Sequence, residues 1–332
     1  MADSDMGELA PSSSMDRRDP DLYIEDGNIV LSAKDNENNT VYFRVHKSTL
    51  VKNSPEAFGN MFSVPTPPNM DQYDGVPLVQ MPDDAKSLRD FLTILYDPQC
   101  IATILKAEDF PKMLRPVELA RKYQVDWICK LVASQLQSSW PDSLFQWNIV
   151  AREEGDIRAW DAYRTEAPEG DMDEPRGLRC LPEPVSSIIL ARQCDVPAIL
   201  PVAFLHLLRF PSEIYDYNEV FPWQIPERSL LSQQDWARLV LARERITRWF
   251  TQEGPQPWKD CGTSGMQCQV ITLTTWLNIA QEVAVDGNIL KLYGRQVKGD
   301  ICDKCKQKLE DRFYHLSVQF FRNLKHFFQL DE

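Results

Sequence analysis

The period of the apolar positions changes along the chain, and each change marks an element. Ile29-Val-Leu31 and Val41-Tyr-Phe-Arg-Val45 are short β-favouring runs joined by the polar Lys34-Asp-Asn-Glu-Asn-Asn39, a pattern that predicts a hairpin. Val76-Pro-Leu-Val-Gln-Met81 predicts a third strand, with Pro77 placing it at an edge or a strand start. The period then becomes helical. Leu88, Phe91, Leu92, Leu95 and Tyr96 fall on one face of a segment that Asp83 can cap. Phe110, Met113, Leu114 and Val117 form a second such face, and Trp127, Ile128, Leu131, Val132 and Leu136 a third, which stops before Pro141. Between the first two lies an insert, Asp97 to Asp109, whose Ile101, Ile104 and Leu105 predict a small helix. A small sheet clad by helices is an α+β pattern.

Beyond Pro141 the alternation typical of strands disappears. Leu144, Trp147 and Val150 continue helically, and Arg152 to Glu183 then turns polar, acidic and proline-bearing, which predicts a linker. From Val185 the chain reads as all-helical. Asp195 and Pro197 open a helix carrying Ile199, Leu200, Ala203, Phe204, Leu207 and Leu208. Asp235 opens another with Trp236, Leu239, Val240, Ile246 and Phe250. Leu273, Trp276, Leu277, Ala280 and Val283 share a further face, closed near Gly287, and Phe313, Leu316, Phe320, Leu324 and Phe327 share the last. Met1 to Asp19, polar and without periodicity, predicts a disordered tail. The expected organisation is a tail (1–19), an α+β domain (20–140), a helix and acidic linker (141–184) and a mostly α-helical C-terminal domain (185–332).

Composition narrows the function. At 332 residues there is room for two cores. Lys and Arg number 36 against 49 Asp and Glu, and the net charge of −13 gives no global attraction to nucleic acid or to anionic membrane. No run of about 18 apolar residues occurs, and Met1 to Pro20 has no apolar signal core, so an intracellular protein is expected, in cytosol or nucleus. The eight cysteines are then reduced unless a metal claims them.

Four of those cysteines form the strongest chemical pattern. Cys261-x6-Cys268 precedes one predicted helix, and Cys302-Asp-Lys-Cys305 follows it and leads into the last. Two paired thiolate stations suit tetrahedral Zn²⁺, with Gly262 and Gly265 letting the first loop curl and Lys304 and Lys306 offsetting charge. His315 is a reserve ligand. The same residues can also be read as four reduced, partly buried thiols or as a redox CxxC, although no βαβ context accompanies the latter. His46, at the end of a strand and the start of a helix, reads as a hydrogen-bonding tie with Asp26 as its partner rather than as a base or ligand. The other histidines, His206, His315 and His326, are scattered, and no phosphate-cradling loop is present, so no enzymatic activity is expected. Glu166, Glu169, Asp171, Asp173 and Glu174 read as solvated chain, with acidic docking as the other reading. The aromatic and basic last helix reads as packing on its own domain rather than as a membrane or nucleic-acid face.

Asp26, Phe43-Arg-Val-His46-Lys47, Leu50, Ser54-Pro-Glu-Ala-Phe58 and Met61-Phe62 occur in the order found in the BTB/POZ domain, and Leu119-Ala-Arg-Lys-Tyr-Gln-Val125 looks like that family's lead into its last helix pair. The resemblance covers Asp21 to Trp140. Leu95-Tyr-Asp-Pro98, Ser139-Trp-Pro141 and Ile199-Leu-Pro-Val-Ala-Phe204 resemble the large fungal group of this family in particular. The resemblance implies a protein-interaction module. It also implies a homodimer formed through His46 to Lys52, with His46, Leu50 and Val51 at the interface. A cullin-based ubiquitin ligase would be met through Leu88 to Tyr96 and the insert after it, with Phe91 and Tyr96 in contact and an unknown client bound elsewhere. The hydrophobic-x-Glu element of many such adaptors is not apparent, because Lys106 precedes Ala107-Glu108, and the familiar substrate-reading repeats are absent. A zinc-containing transcriptional regulator is the alternative, although Cys₂His₂ fingers and a basic tract are lacking.

Overall fold

The computed structural model describes residues 16–64, 71–101, 107–166, 179–210, 225–254, 261 and 265–330. Contacts divide it into two compact units. One contains the sheet and the helices up to Cys129, and the other runs from Lys130 onward and also takes residues 107–111. The division falls inside a continuous helix rather than after Trp140, where the apolar pattern breaks.

In the first unit, strands β1 (Arg17–Tyr23), β2 (Ile29–Lys34), β3 (Thr40–Val45), β4 (Gln72–Tyr73) and β5 (Val76–Asp84) form one sheet in the order β1-β3-β2-β5-β4. The predicted hairpin is present, with β2 antiparallel to β3 from Ile29 opposite Val45 to Lys34 opposite Thr40. Asp35 closes its turn by accepting from the amides of Glu37 (3.0 Å) and Asn39 (2.9 Å). Strand β3 alternates, turning Val41, Phe43 and Val45 inward, whereas central β2 is buried from Ile29 to Ala33. Pro77 sits one residue into β5, opposite Gln72 of the two-residue β4, where a missing amide does little harm.

Strand β1 was not expected. It pairs parallel with β3, and it is anchored by Asp19, which lies within the stretch predicted to be a disordered tail. Asp19 is 4% exposed; its carboxylate accepts from the amides of Asp21 and Leu22 (3.0 Å each) and from Arg89 Nε (2.8 Å). A buried carboxylate needs such partners, and Arg89 supplies the opposite charge.

The first unit also contains helices α1 (Lys47–Asn53), α2 (Asn60–Ser63), α3 (Ala85–Tyr96), which lies against the sheet, and α4 (Leu114–Lys122), which packs on α3, and α5 (Asp126–Ser139) leads into the second unit. Asp84, not Asp83, caps α3 by accepting from Ser87 N at 2.9 Å. Asp83 is held instead by Lys122 and the hydroxyl of Tyr123. Burial and this carboxylate push the Tyr123 hydroxyl far above its ordinary range. The core brings together Leu50, Phe58, Leu88, Phe91, Leu92, Met113 and Val117, with Phe58 stacked on Tyr123 at 4.8 Å. The small helix expected around Ile104 and Leu105 lies outside the described residues.

The second unit is helical: α6 (Leu144–Glu166), α7 (Pro184–Gln193), α8 (Leu200–Leu208), α9 (Gln233–Gln252), α10 (Gly265–Asp286), α11 (Asp303–Arg322) and α12 (Leu324–Phe327). Helix α6 corrects the expected linker. It continues to Glu166, because no proline falls before Pro168 and its polar residues include good helix formers. The linker's other end is buried too, from Leu181 to Ile188, and Glu183 caps α7 by accepting from Val185 N (2.8 Å) and Ser186 N (2.6 Å). The acidic residues Glu169 to Glu174 lie outside the described residues.

Every residue of α8 is buried, making it the axis of this unit. Around it Phe204 stacks on Phe328 at 5.5 Å, and Phe250 stacks on Trp276 at 4.7 Å. Two start signals shift by a few residues. Asp195, at φ +56°, forms the left-handed turn after α7 rather than a cap, with Val196 N donating to Ala191 O at 2.7 Å. Ser232 caps α9 by accepting from Asp235 N at 3.1 Å, and Asp235 occupies the third helical position. Gly287 ends α10 at φ +63°, where a Cβ would stand 2.5 Å from Leu208 Cδ2. The apolar face of α11 and α12 (Phe313, Leu316, Phe320, Leu324 and Phe327) is buried within the unit. Among the described residues no helix is long and apolar enough to cross a membrane.

Candidate metal centre

The four cysteines singled out by spacing meet in space. The Sγ atoms of Cys261, Cys268, Cys302 and Cys305 all lie within 4.8 Å of one another, and Cys261 and Cys302 stand 3.9 Å apart. Sulfurs arranged tetrahedrally at the usual Zn–S length would be about 3.8 Å apart. Local structure explains the convergence. Cys268 lies in the first turns of α10 and points inward, 2% exposed. Cys302 is the N-cap of α11, and Cys305 follows one turn later, also 2% exposed, so the x₂ spacing sets both on the same end of that helix. The amide of Cys302 donates to Cys268 Sγ at 3.4 Å, the kind of contact that holds a thiolate in place.

Crowding sets the thiols' acidities apart. Hydrogen bonds from Cys305, first from its amide and then from its thiol, pull Cys302 down to about 6. Burial, and then hydrogen bonds to Cys302 and Cys261, push Cys305 up to about 12. Cys268 is also raised: the Cys302 amide opposes the shift, and desolvation with the neighbouring sulfurs outweighs it. A divalent cation would remove the conflict by stabilising all four as thiolates. The donor set fits zinc, a soft four-sulfur shell with two ligands half-exposed and two buried. Half-exposed Cys261 and Cys302 do not behave as apolar core filler.

The reserve ligand is not brought to this cluster. His315 is exposed, far along α11, and is not among the clustered ligands. Gly262 lies outside the described residues, and Gly265 begins α10.

The predicted interface residues separate into two classes. Leu50 and Phe91 are both fully buried, so they are core residues of the first unit and cannot meet a partner. Leu50 is the buried residue of α1, and α3 buries Phe91 beside Tyr123 at 5.8 Å. His46, Val51 and Tyr96 are half-buried. His46 and Tyr96 are partners: the Tyr96 hydroxyl accepts from His46 N at 2.7 Å and lies 3.0 Å from Nδ1. The other ring nitrogen, Nε2, lies 3.3 Å from Asp26 Oδ1. With both nitrogens engaged, His46 ties the end of β3 to α3 and to the turn before β2. The sequence pattern anticipated Asp26 and missed Tyr96, which lies 50 positions away and carries no local signal.

Comparison with known proteins finds no matching family model, no matching curated protein and no matching solved structure.

Proposed function

We propose that this chain is a BTB/POZ-type protein-interaction module, a non-enzymatic homodimerising scaffold or adaptor whose helical unit is braced by one structural zinc. The observation that carries the zinc is the convergence of Cys261, Cys268, Cys302 and Cys305 from two separate stations. Bound there, zinc would fasten the start of α10 to the start of α11 and contribute directly to folding. The interaction reading is supported by the ordered motif from Asp26 to Phe62 and by the use of its histidine as a structural tie.

With Leu50 and Phe91 buried, the dimer surface on α1 falls to half-exposed Val51 and its neighbours, and a cullin would be met through Asp97, Pro98 and Gln99 after α3. The test is calorimetry of the full chain with the N-terminal domain of a BTB-binding cullin. The adaptor role predicts micromolar or tighter binding that Asp97→Lys weakens at least tenfold. No heat at 100-fold excess sinks the adaptor role. For the dimer, Val51→Glu should lower the mass in light scattering, and an unchanged mass contradicts that interface.

A further inference from the structure

Helix α10 is buried on one side through Cys268, Thr272, Trp276, Ile279 and Val283. Its opposite side is also apolar. Val270, Leu273 and Leu277 are 58%, 51% and 54% exposed, Ala280 is half-exposed and Ala284 is exposed. The spacing of these five residues is 3, 4, 3, 4, a strict heptad seam. The surface around the seam is uncharged as far as Gln281, and charged groups, Glu282 and Asp286 among them, begin only at its Ala284 end. Gln267, Gln269, Thr274, Asn278 and Gln281 are exposed, and no charged residue occurs from Gly265 to Gln281. In a chain that is 26% charged, so long a neutral exposed face is the signature of an interface centre. The seam exposes on the order of 400 Å² of apolar surface, at the size where patches on soluble proteins are often functional.

We propose that α10 pairs antiparallel with α10 of a second copy of this chain, along Val270, Leu273, Leu277, Ala280 and Ala284. Three features select a second copy as the occupant. The first is taper: the bulky residues lie in the N-terminal half of the seam and the two alanines in the C-terminal half. An antiparallel pair centred on Leu277 sets Leu273 against Ala280 and Val270 against Ala284, so each flanking layer joins a large side chain to a small one. A parallel pair would crowd the leucine layers and hollow out the alanine layers.

The second feature is charge. At a net charge of −13 two copies repel, so self-contact costs least along a face that is neutral at its centre, as this one is from Val270 to Ala280. The third is continuity. At its Ala284 end the seam opens into a groove of about 580 Å³ walled by Trp236 and Val240 and by the charged side chains of Arg228, Arg243, Glu244 and Arg248. Val270 of the second copy would arrive there. Two such helices with these flanks bury on the order of 1,000 Å², the lower bound for a specific interface, so association should depend on concentration in the micromolar range.

This surface is separate from the dimer contact on α1 proposed above, and the test keeps the two apart. Sedimentation equilibrium is run on the full zinc-loaded chain, on the double variant Leu273→Glu/Leu277→Glu, and on Val51→Glu. Both leucines are more than half exposed, so the double variant should keep its circular dichroism and melting point. The expected result is at least a tenfold weakening of one self-association step in the double variant, whatever Val51→Glu does. Unchanged association, or a wild-type chain monomeric at 100 µM, overturns the proposal; a mass that responds only to Val51→Glu overturns it while leaving the α1 contact standing. A second readout needs no charged substitution. A photo-crosslinking amino acid at position 284, in a mixture of ¹⁴N and ¹⁵N chains, should capture the Val270 peptide of the other copy. Capture of the 284-containing peptide, or of none, overturns the antiparallel pairing.

Discussion

Asp235→Asn should destabilise the helical unit by about 2–3 kcal/mol near neutral pH. Asp235 is 2% exposed, yet it carries the local negative charge for two arginines. Arg192 grips it with both terminal nitrogens, Nη2 at 2.6 Å, and Arg238 Nη1 lies 3.3 Å away. Ser232 Oγ donates to the carboxylate at 2.8 Å. The amide is nearly isosteric, so packing survives and what goes is the charge. Hydrogen bonds to ionised groups contribute about 1.5–3 kcal/mol each, and removing one partner of a well-buried pair costs about 3–5. The Arg192 side chain is 37% exposed and recovers part of its hydration, which lowers the figure to about 2–3 kcal/mol.

Desolvation raises the Asp235 pKa, but Arg192 and Ser232 outweigh it and hold the carboxyl below its ordinary value. A depressed folded-state pKa gives stability that is present above the unfolded value, near about 3.9, and is lost as pH falls through the folded value. The assay is urea unfolding of wild type and variant followed by near-ultraviolet circular dichroism, at pH 7 and again below pH 3. At pH 7 the midpoint should fall by roughly 1 M, and at the lower pH the two proteins should converge. A loss under 0.5 kcal/mol at pH 7, or an equal gap at both pH values, would refute the reasoning.

Other substitutions probe the remaining ties. Tyr96→Phe removes the hydroxyl that accepts from His46 N, and thermal melting should show a loss of about 1–2 kcal/mol in the first unit, with a melting point within 1 °C of wild type counting against the tie. Gly287→Ala puts a Cβ against Leu208 at a left-handed φ and should lower the melting point of the second unit by several degrees; an unchanged melt would contradict the close approach. Phe91→Ala should cost about 3–5 kcal/mol and unfold the first unit in mild urea, whereas a stable variant defective only in partner binding would restore Phe91 as a surface residue.

What the sequence could disclose depended on whether one residue pattern had one structural meaning. The β2–β3 hairpin was legible because its alternation, polar loop and flanks agree. The cysteine centre was legible because two spaced pairs are rare and chemically specific. Strand β1 was not, since among its seven residues only Asp19 and Leu22 are buried and its anchor, Arg89, is 70 positions away. The α10 seam was hidden for another reason. Leu273, Trp276, Leu277 and Val283 read as one apolar face, but the helix is apolar on two sides, and only packing sends Trp276 and Val283 inward and the leucines outward. Leu50 and Phe91 illustrate a third limit: a motif position marks a residue type, and burial decides whether that residue is core or contact.

Metal content tests the central claim most directly. Mass-spectrometric metal analysis of the chain purified without added metal should find one zinc per chain, and Cys302→Ser should lose that zinc together with the cooperative melt of the helical unit. Less than a tenth of a zinc per chain, with all four thiols freely titratable and the melt unchanged in Cys302→Ser, would contradict it.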